Sequence, residues 1–123
     1  MTTNTHPQVV DFSYIDELSG GKPDFIRQVL TIFMENTPPG LKQLEELIRN
    51  TNKWDAISKQ AHFLKSSVSV VKVEGMHERL QKIELMAKEK KDKAEITRLL
   101  DEIVHTFSEA EAIINEKLEA ASL

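Results

Sequence analysis

The stretch that decides the fold is "WDAISKQAHFLKSSVSVV", which runs from residue 54 to residue 71. Its apolar side chains recur every three or four residues, the spacing of one face of an α-helix. That face consists of Trp54, Ile57, Ala61, Leu64, Val68 and Val71. The spacing predicts a helix that ends near Lys72. The helix must pack against others, because a single helix cannot bury its own apolar face.

The rest of the chain shows helical spacing too, and no sustained alternation that would indicate a strand. A short helix is predicted over Phe12–Leu18, ended by Gly20 and Gly21, and another begins at Pro23. In "NTPPG", residues 36–40, either the helix continues with a kink or Thr37 caps a new one. The predicted inner positions are Phe25, Ile26, Val29, Leu30, Phe33, Met34, Leu41, Leu44, Leu47 and Ile48, then Met76, Leu80, Ile83 and Ala87, and finally Ile96, Leu99, Leu100, Ile103, Phe107, Ala110, Ile114 and Leu118.

Several helices with apolar faces and short connections predict an all-α fold, an antiparallel four-helix bundle with a short extra N-terminal helix. We expect a flexible N-terminal tail over residues 1–9 and one helical domain over residues 10–120. Tyr14 and Trp54 are interpreted as aromatic residues of the core or its edge.

Composition excludes several classes of function. The chain has 123 residues, no cysteine and a net charge of −4, which argues against a nucleic-acid partner. No apolar run is long enough to span a membrane, and we expect no membrane partner and a cytoplasmic location. The basic run "KEKKDK", residues 88–93, is interpreted as a solvated helix end and turn.

His62 is the first candidate functional residue. It lies roughly 130° around the helix from the centre of the apolar face, so the imidazole should face solvent. The neighbours expected on or beside that exposed side are Ser58, Lys59, Lys65, Ser66 and Ser69, with Phe63 and Val70 on the flank beyond Ser66. Small hydroxyl residues leave room for a partner, and the lysines favour an anion near the imidazole. On helix geometry alone, an ordinary surface histidine is the stronger interpretation.

A family resemblance changes that balance. "AHFLKSS", residues 61–67, resembles the H-x-L-K-G-S motif of histidine-containing phosphotransfer (HPt) domains. "YIDELSGGKPDFIRQVLTIFMENTPPGLKQL" resembles the first helices of that family, and "LQKIE" resembles the helix segment that supports the active histidine. The resemblance covers about residues 11–118.

The resemblance implies a four-helix bundle that carries phosphoryl groups between receiver domains and has no kinase activity of its own. His62 matches the phosphoacceptor, Lys65 the lysine near the phosphoryl oxygens, and Glu84 the side chain that orients the imidazole. Ser58, Lys59, Phe63, Ser66, Ser69 and Val70 are the expected partner-binding residues. The expected partners are response-regulator receiver domains, with a hybrid sensor histidine kinase as a further candidate. We expect a monomer with no cofactor, and Mg²⁺ on the partner receiver domain.

Two positions depart from the family pattern. Ser66 replaces the glycine that follows the motif lysine, so access to the histidine is kept but transfer is expected to be slower or the choice of partner altered. Lys72 replaces a second glycine, which suggests that the helix runs on before the chain turns at Gly75.

The sequence also offers two other functions. Paired Glu-x-x-His units, Glu74 with His77 and Glu102 with His105, can hold two iron ions inside a bundle. Their predicted outward direction argues against a metal site. A non-catalytic helical adaptor with the same fold, which binds receiver or other signalling domains without phosphotransfer, remains the alternative.

Overall fold

The computed structural model describes residues 9–122. Most of the predicted N-terminal tail, residues 1–8, lies outside the described residues. The elements in chain order are β1 (Val10–Asp11), α1 (Ser13–Ser19), α2 (Pro23–Asn50), α3 (Trp54–Ser67), β2 (Lys72–Val73), α4 (Met76–Glu89) and α5 (Lys93–Ala121). Four long helices and the short α1 confirm the predicted all-α bundle.

Neighbouring helices of the bundle run antiparallel. Between α3 and α4, Ser58 contacts Glu84 whereas Lys65 contacts Gln81, so the two sequences run in opposite directions along the interface. The short connections between successive helices favour this arrangement, because they return the chain directly alongside the helix that it has just left.

The pairing of α2 with α5 closes the bundle. The rings of Phe33 and Phe107 lie 6.2 Å apart between their centroids, within the range of favourable aromatic pairs. Further along, Arg49 Nη2 lies 2.6 Å from Asp101 Oδ1. These contacts show that the two longest helices pack against each other, with Phe33 to Arg49 of α2 lying against the N-terminal half of α5.

Local sequence explains where the first helices begin and end. α1 ends at Gly20, which has a φ of 63° and supplies the left-handed conformation that ends many helices. Pro23 occupies the first turn of α2, where its missing N–H costs nothing. Past Asn36, α2 continues as one helix through Pro38 and Pro39, which answers the question that the sequence left open.

The predicted end of α3 is wrong. The helix ends at Ser67 and not near Lys72, and the chain then turns into β2. Ser69 Oγ donates a hydrogen bond of 2.7 Å to the carbonyl of Ser66. Such local bonds compete with the helical pattern. The replacement of a glycine by Lys72 therefore does not lengthen the helix.

A two-stranded antiparallel sheet is present although no strand was predicted. Val10 pairs with Val73 and Asp11 with Lys72, and the Glu74 N–H donates to the Val9 carbonyl. Strands of two residues are too short to show an alternating pattern, so the sequence carries no detectable signal for them. The sheet ties the start of the chain to the segment between α3 and α4.

The predicted inner positions form one core, with a few exceptions. Ile57, Ala61 and Leu64 of α3 are fully buried. Phe25 is 36% exposed, so its assignment to the inner face is wrong. Tyr14 is 42% exposed with the Lys72 ammonium over its ring, and it is therefore not a core residue.

The lysine-rich segment forms the predicted solvated helix end and turn, except that Lys93 at its end is half-buried and donates a hydrogen bond of 2.6 Å to the Thr51 carbonyl. α4 ends at Glu89, and the following residues are exposed up to Asp92, which caps α5 by accepting a hydrogen bond from the Glu95 N–H. Among residues 9–122, no helix combines the length and the apolar character that crossing a membrane would need.

Candidate functional site

His62 lies on the outer side of α3, as predicted. Its side chain is 65% exposed, whereas Ala61 and Leu64 beside it are fully buried. The apolar residues on one face of α3 fix the helix against the core and thereby hold the imidazole toward solvent. A reacting partner can therefore reach the ring without any rearrangement of the bundle.

The imidazole contacts a buried carboxylate of the neighbouring helix. Glu84 follows Ile83 on α4, and its side chain is only 7% exposed. Its Oε2 lies 3.1 Å from Nδ1 of His62. The Ser58 hydroxyl donates a hydrogen bond of 3.3 Å to the Glu84 carbonyl, which joins α3 and α4 at this point. The predicted contact between Glu84 and the imidazole is present.

Two lysines neutralise this carboxylate. Lys65 Nζ lies 2.9 Å from Glu84 Oε1, and Lys88 Nζ lies 3.4 Å from Oε2. Lys65 also donates a hydrogen bond of 2.5 Å to Gln81 Oε1. Oε1 of Glu84 accepts no hydrogen bond of good geometry, so Lys65 stabilises it chiefly through charge.

The charge state of Glu84 follows from these contacts. Burial raises the pKa of this carboxyl group, but the contacts with Lys65 and Lys88, together with the charge that His62 carries when it is protonated, outweigh burial. The net result is a pKa below the ordinary value. Glu84 is therefore an anion at neutral pH.

An ionised carboxylate fixes the tautomer of His62. It can only accept hydrogen bonds, so Nδ1 of the neutral imidazole must carry the proton. The lone pair then resides on Nε2, at the far side of the ring from Glu84. The site thus presents a neutral nitrogen nucleophile to solvent, in a fixed orientation.

The expected partner-binding residues do not all lie on the exposed surface. Ser58 is buried, with 6% of its surface exposed, so the expectation that it shares the exposed side of α3 with His62 is wrong. The side of α3 that carries Ser58 is covered by α4. Lys59, Phe63, Ser66 and Ser69 are exposed as expected, and Phe63 is 52% exposed.

Val70 is half-buried and lines a shallow groove between α2 and the end of α3. The groove has a volume of about 200 Å³ and reaches Ser66, one turn from His62. Ile32 forms part of its wall and is 51% exposed. Thr37 lies in the same wall, fully buried, and does not cap a helix. The groove offers apolar contact area beside the histidine.

The Glu-x-x-His pairs do not come together. Glu102 lies 2.9 Å from Arg79 and 2.7 Å from Arg98, and His105 is exposed on the outside of α5. Within the described part of the chain, no group of three histidine or carboxylate side chains is placed to hold a metal ion.

Sequence reasoning missed two residues of this site, Gln81 and Lys88. They lie three residues before and four residues after Glu84, one helical turn to each side. A helix projection centred on Glu84 would have placed both beside it. Lys88 was instead assigned only to the basic run that ends α4.

Comparisons with known proteins agree with this geometry. A family model described as the Hpt domain matches residues 28–116, which is most of the chain and includes α3 and α4. No curated protein and no solved structure gives a significant match. The family match indicates histidine phosphotransfer in two-component signalling. The bundle, the exposed histidine and the matched range lead to one conclusion: the chain belongs to the Hpt domain family.

Proposed function

We propose that this protein relays a phosphoryl group between aspartates of response-regulator receiver domains, with phospho-His62 as the intermediate. One observation carries the proposal: the imidazole is 65% exposed while its Nδ1 lies 3.1 Å from the buried carboxylate of Glu84. An ordinary surface histidine has no need of a buried anion behind it. A nucleophile that must hold one tautomer does.

The chemistry balances without a proton transfer. The Nε2 lone pair attacks phosphorus of an aspartyl phosphate, the P–O bond to the aspartate breaks, and that electron pair returns to the carboxylate. The imidazole keeps its Nδ1 proton and becomes cationic, directly against Glu84. In the next step the aspartate of a second receiver attacks phosphorus, and the N–P electron pair returns to Nε2.

The charge of Glu84 stabilises the phosphorylated ring in this scheme. A cationic imidazole beside an ionised carboxylate is favoured over one in water, which makes formation of the intermediate easier. The receiver domain would supply Mg²⁺ and its own acidic pocket, so the proposed role of this chain does not require an acidic cluster.

The surface around His62 supports docking of a second domain. Phe63 and Ser66 are exposed next to the imidazole, and the groove lined by Val70 and Ile32 continues that surface onto α2. An exposed nucleophile with apolar contact area beside it suits a partner that covers the site during transfer and then leaves. Ser66 is small enough to leave the approach open.

A transfer assay tests the proposal. Receiver domains charged with a small-molecule phosphodonor are mixed with the wild type, His62→Gln and His105→Gln, and phosphate-affinity gels are run before and after acid treatment. We expect an acid-labile shift for the wild type and His105→Gln and none for His62→Gln. If the wild type binds receivers but takes no phosphoryl group from any of them, the adaptor alternative is correct.

A further inference from the structure

The two lysines at Glu84 differ in how freely their ammonium groups can move. Lys65 has a side chain that is 17% exposed, and Lys88 has one that is 60% exposed. Both carry one positive charge and both are close to the imidazole. The lysine that can contact a phosphoryl group on Nε2 is the one that can move away from Glu84 without leaving a buried carboxylate oxygen unpaired.

Lys65 is held in place by two contacts. Its Nζ donates to Gln81 Oε1 and lies 2.9 Å from Glu84 Oε1. That oxygen accepts no hydrogen bond of good geometry in the described structure, so the Lys65 charge is its principal stabilisation. Withdrawing Lys65 toward solvent would leave a buried carboxylate oxygen without its cation, which is costly.

Lys88 is held loosely, on the same carboxylate oxygen that the imidazole contacts. Its distance of 3.4 Å to Glu84 Oε2 is longer than the 2.7–2.9 Å typical of charge-assisted hydrogen bonds. It shares Oε2 with Nδ1 of His62, so its ammonium is a close neighbour of the imidazole. Helical side chains lean toward the N-terminus, which directs Lys88 back over Glu84 and directs Lys59 of α3 away from His62. The same lean brings Lys65 toward His62, but its contacts with Glu84 and Gln81 hold its ammonium there.

Phosphorylation itself would release Lys88. The phosphorylated ring is cationic at Nδ1 and can take over the neutralisation of Oε2. The phosphoryl group also adds roughly two negative charges on the solvent side of the ring. A flexible, exposed ammonium that loses one anion and gains another beside it will move to the second.

We propose that Lys88 is the residue that contacts the phosphoryl group on His62, and that Lys65 is a positioning residue that acts through Glu84. This inference rests on the proposed function and deepens it. It reverses the assignment that the family resemblance suggests, in which Lys65 lies near the phosphoryl oxygens.

A titration of the phosphorylated protein tests the inference. The wild type, Lys88→Gln, Lys88→Arg and Lys65→Gln are charged with phosphoramidate, and the phosphohistidine resonance is followed by ³¹P NMR as a function of pH. The resonance of His62 is assigned by its absence from His62→Gln. Lys82→Gln is the matched control, because Lys82 is an exposed lysine of the same helix whose charge acts on Glu95.

We expect Lys88→Gln to raise the pKa of the phosphoryl group and to shift its protonation equilibrium about fivefold, near the upper end for an exposed ion pair. Lys88→Arg should restore the wild-type value. Lys82→Gln should leave it unchanged. Lys65→Gln should change the ¹⁵N chemical shifts of the His62 ring in the unphosphorylated protein and leave the phosphoryl pKa close to that of the wild type.

The inference is overturned if Lys88→Gln leaves the phosphoryl pKa unchanged, or if Lys65→Gln moves it more than Lys88→Gln does. These outcomes differ from a failure of the proposed function. A wild type that is charged by phosphoramidate but never exchanges the group with a receiver overturns the relay, while the titration still decides which lysine touches phosphate.

Discussion

Glu84 and Glu102 each form ion pairs with two lysine or arginine side chains, but their surroundings differ. Glu84 contacts a histidine, His62, whereas Glu102 precedes one, His105, by three residues. Glu84 lies between α3 and α4 with its side chain 7% exposed, and its partners are lysines. Glu102 lies on the outside of α5 with its side chain 41% exposed, and its partners are Arg79 and Arg98. The two clusters are similar in the number and the length of their ion pairs.

Burial separates the two clusters. Around Glu102, the hydrogen bonds that Arg98 donates to Glu95 and the nearby carboxylate charges raise the pKa of Arg98, yet water competes for every one of these charges. Glu84 cannot turn to water, so its charge is available only to the groups that the fold places around it. One of these groups is the imidazole of His62. A carboxylate thus acts on chemistry where the fold prevents water from satisfying it.

Removal of each carboxylate should give the largest difference between the two clusters. We expect Glu84→Ala to lower the free energy of unfolding by about 3 kcal/mol, because Lys65 is left partly buried without its partner. Glu102→Ala should lower it by less than about 1 kcal/mol, as for exposed ion pairs. Urea denaturation at pH 7 measures both. Equal losses would show that burial does not distinguish the clusters.

Stability should also depend on pH through Glu84, with a smaller change in the free energy of unfolding than removal of the carboxylate and with a sign that the pKa shift determines. The pKa of Glu84 in the folded state lies below its ordinary value of 4.5, so the folded protein binds fewer protons at this group. The contribution of the charge is therefore complete above about pH 5.5 and is lost as the pH falls through the folded-state pKa.

Glu84→Gln removes this dependence while it keeps the size of the side chain. The difference in urea midpoint between wild type and Glu84→Gln should be constant from pH 7 to about pH 5.5 and should shrink toward pH 3. Other carboxylates cancel in the difference. A gap that does not change with pH would mean that the Glu84 charge does not stabilise the fold.

The dependence of stability on salt should differ between the two clusters, and this is the smallest of the expected effects. At 1 M NaCl the Debye length is about 3 Å, so the exposed pairs of Glu102 are screened and the buried contacts of Glu84 are screened much less. We expect the small cost of Glu102→Ala to vanish in 1 M NaCl, while most of the cost of Glu84→Ala remains. Repeating the urea experiments at 0.05 and 1 M NaCl checks this. A parallel loss of both costs would contradict it.

Local sequence patterns are enough to predict the bundle and the exposure of the nucleophile. Apolar residues at helical spacing define which side of each helix turns inward, and glycine at residue 20 and proline at residue 23 mark helix ends through their backbone preferences. The same spacing directed His62 outward. These properties depend on neighbours in the chain, so they can be read before any contact is known.

The surroundings of the imidazole depend on how the helices pack against one another. A helix projection gives the direction of a side chain from its own axis, but it does not say which exposed sector another helix will cover. Ser58 was therefore expected on the surface, although α4 covers it, and Gln81 and Lys88 were missed because their role depends on the position of α4 along α3. The pairing of β2 with β1 was likewise not detectable, because the two strands are short and lie far apart in the chain. Contacts between distant segments set the electrostatics of the site, and no local pattern encodes them.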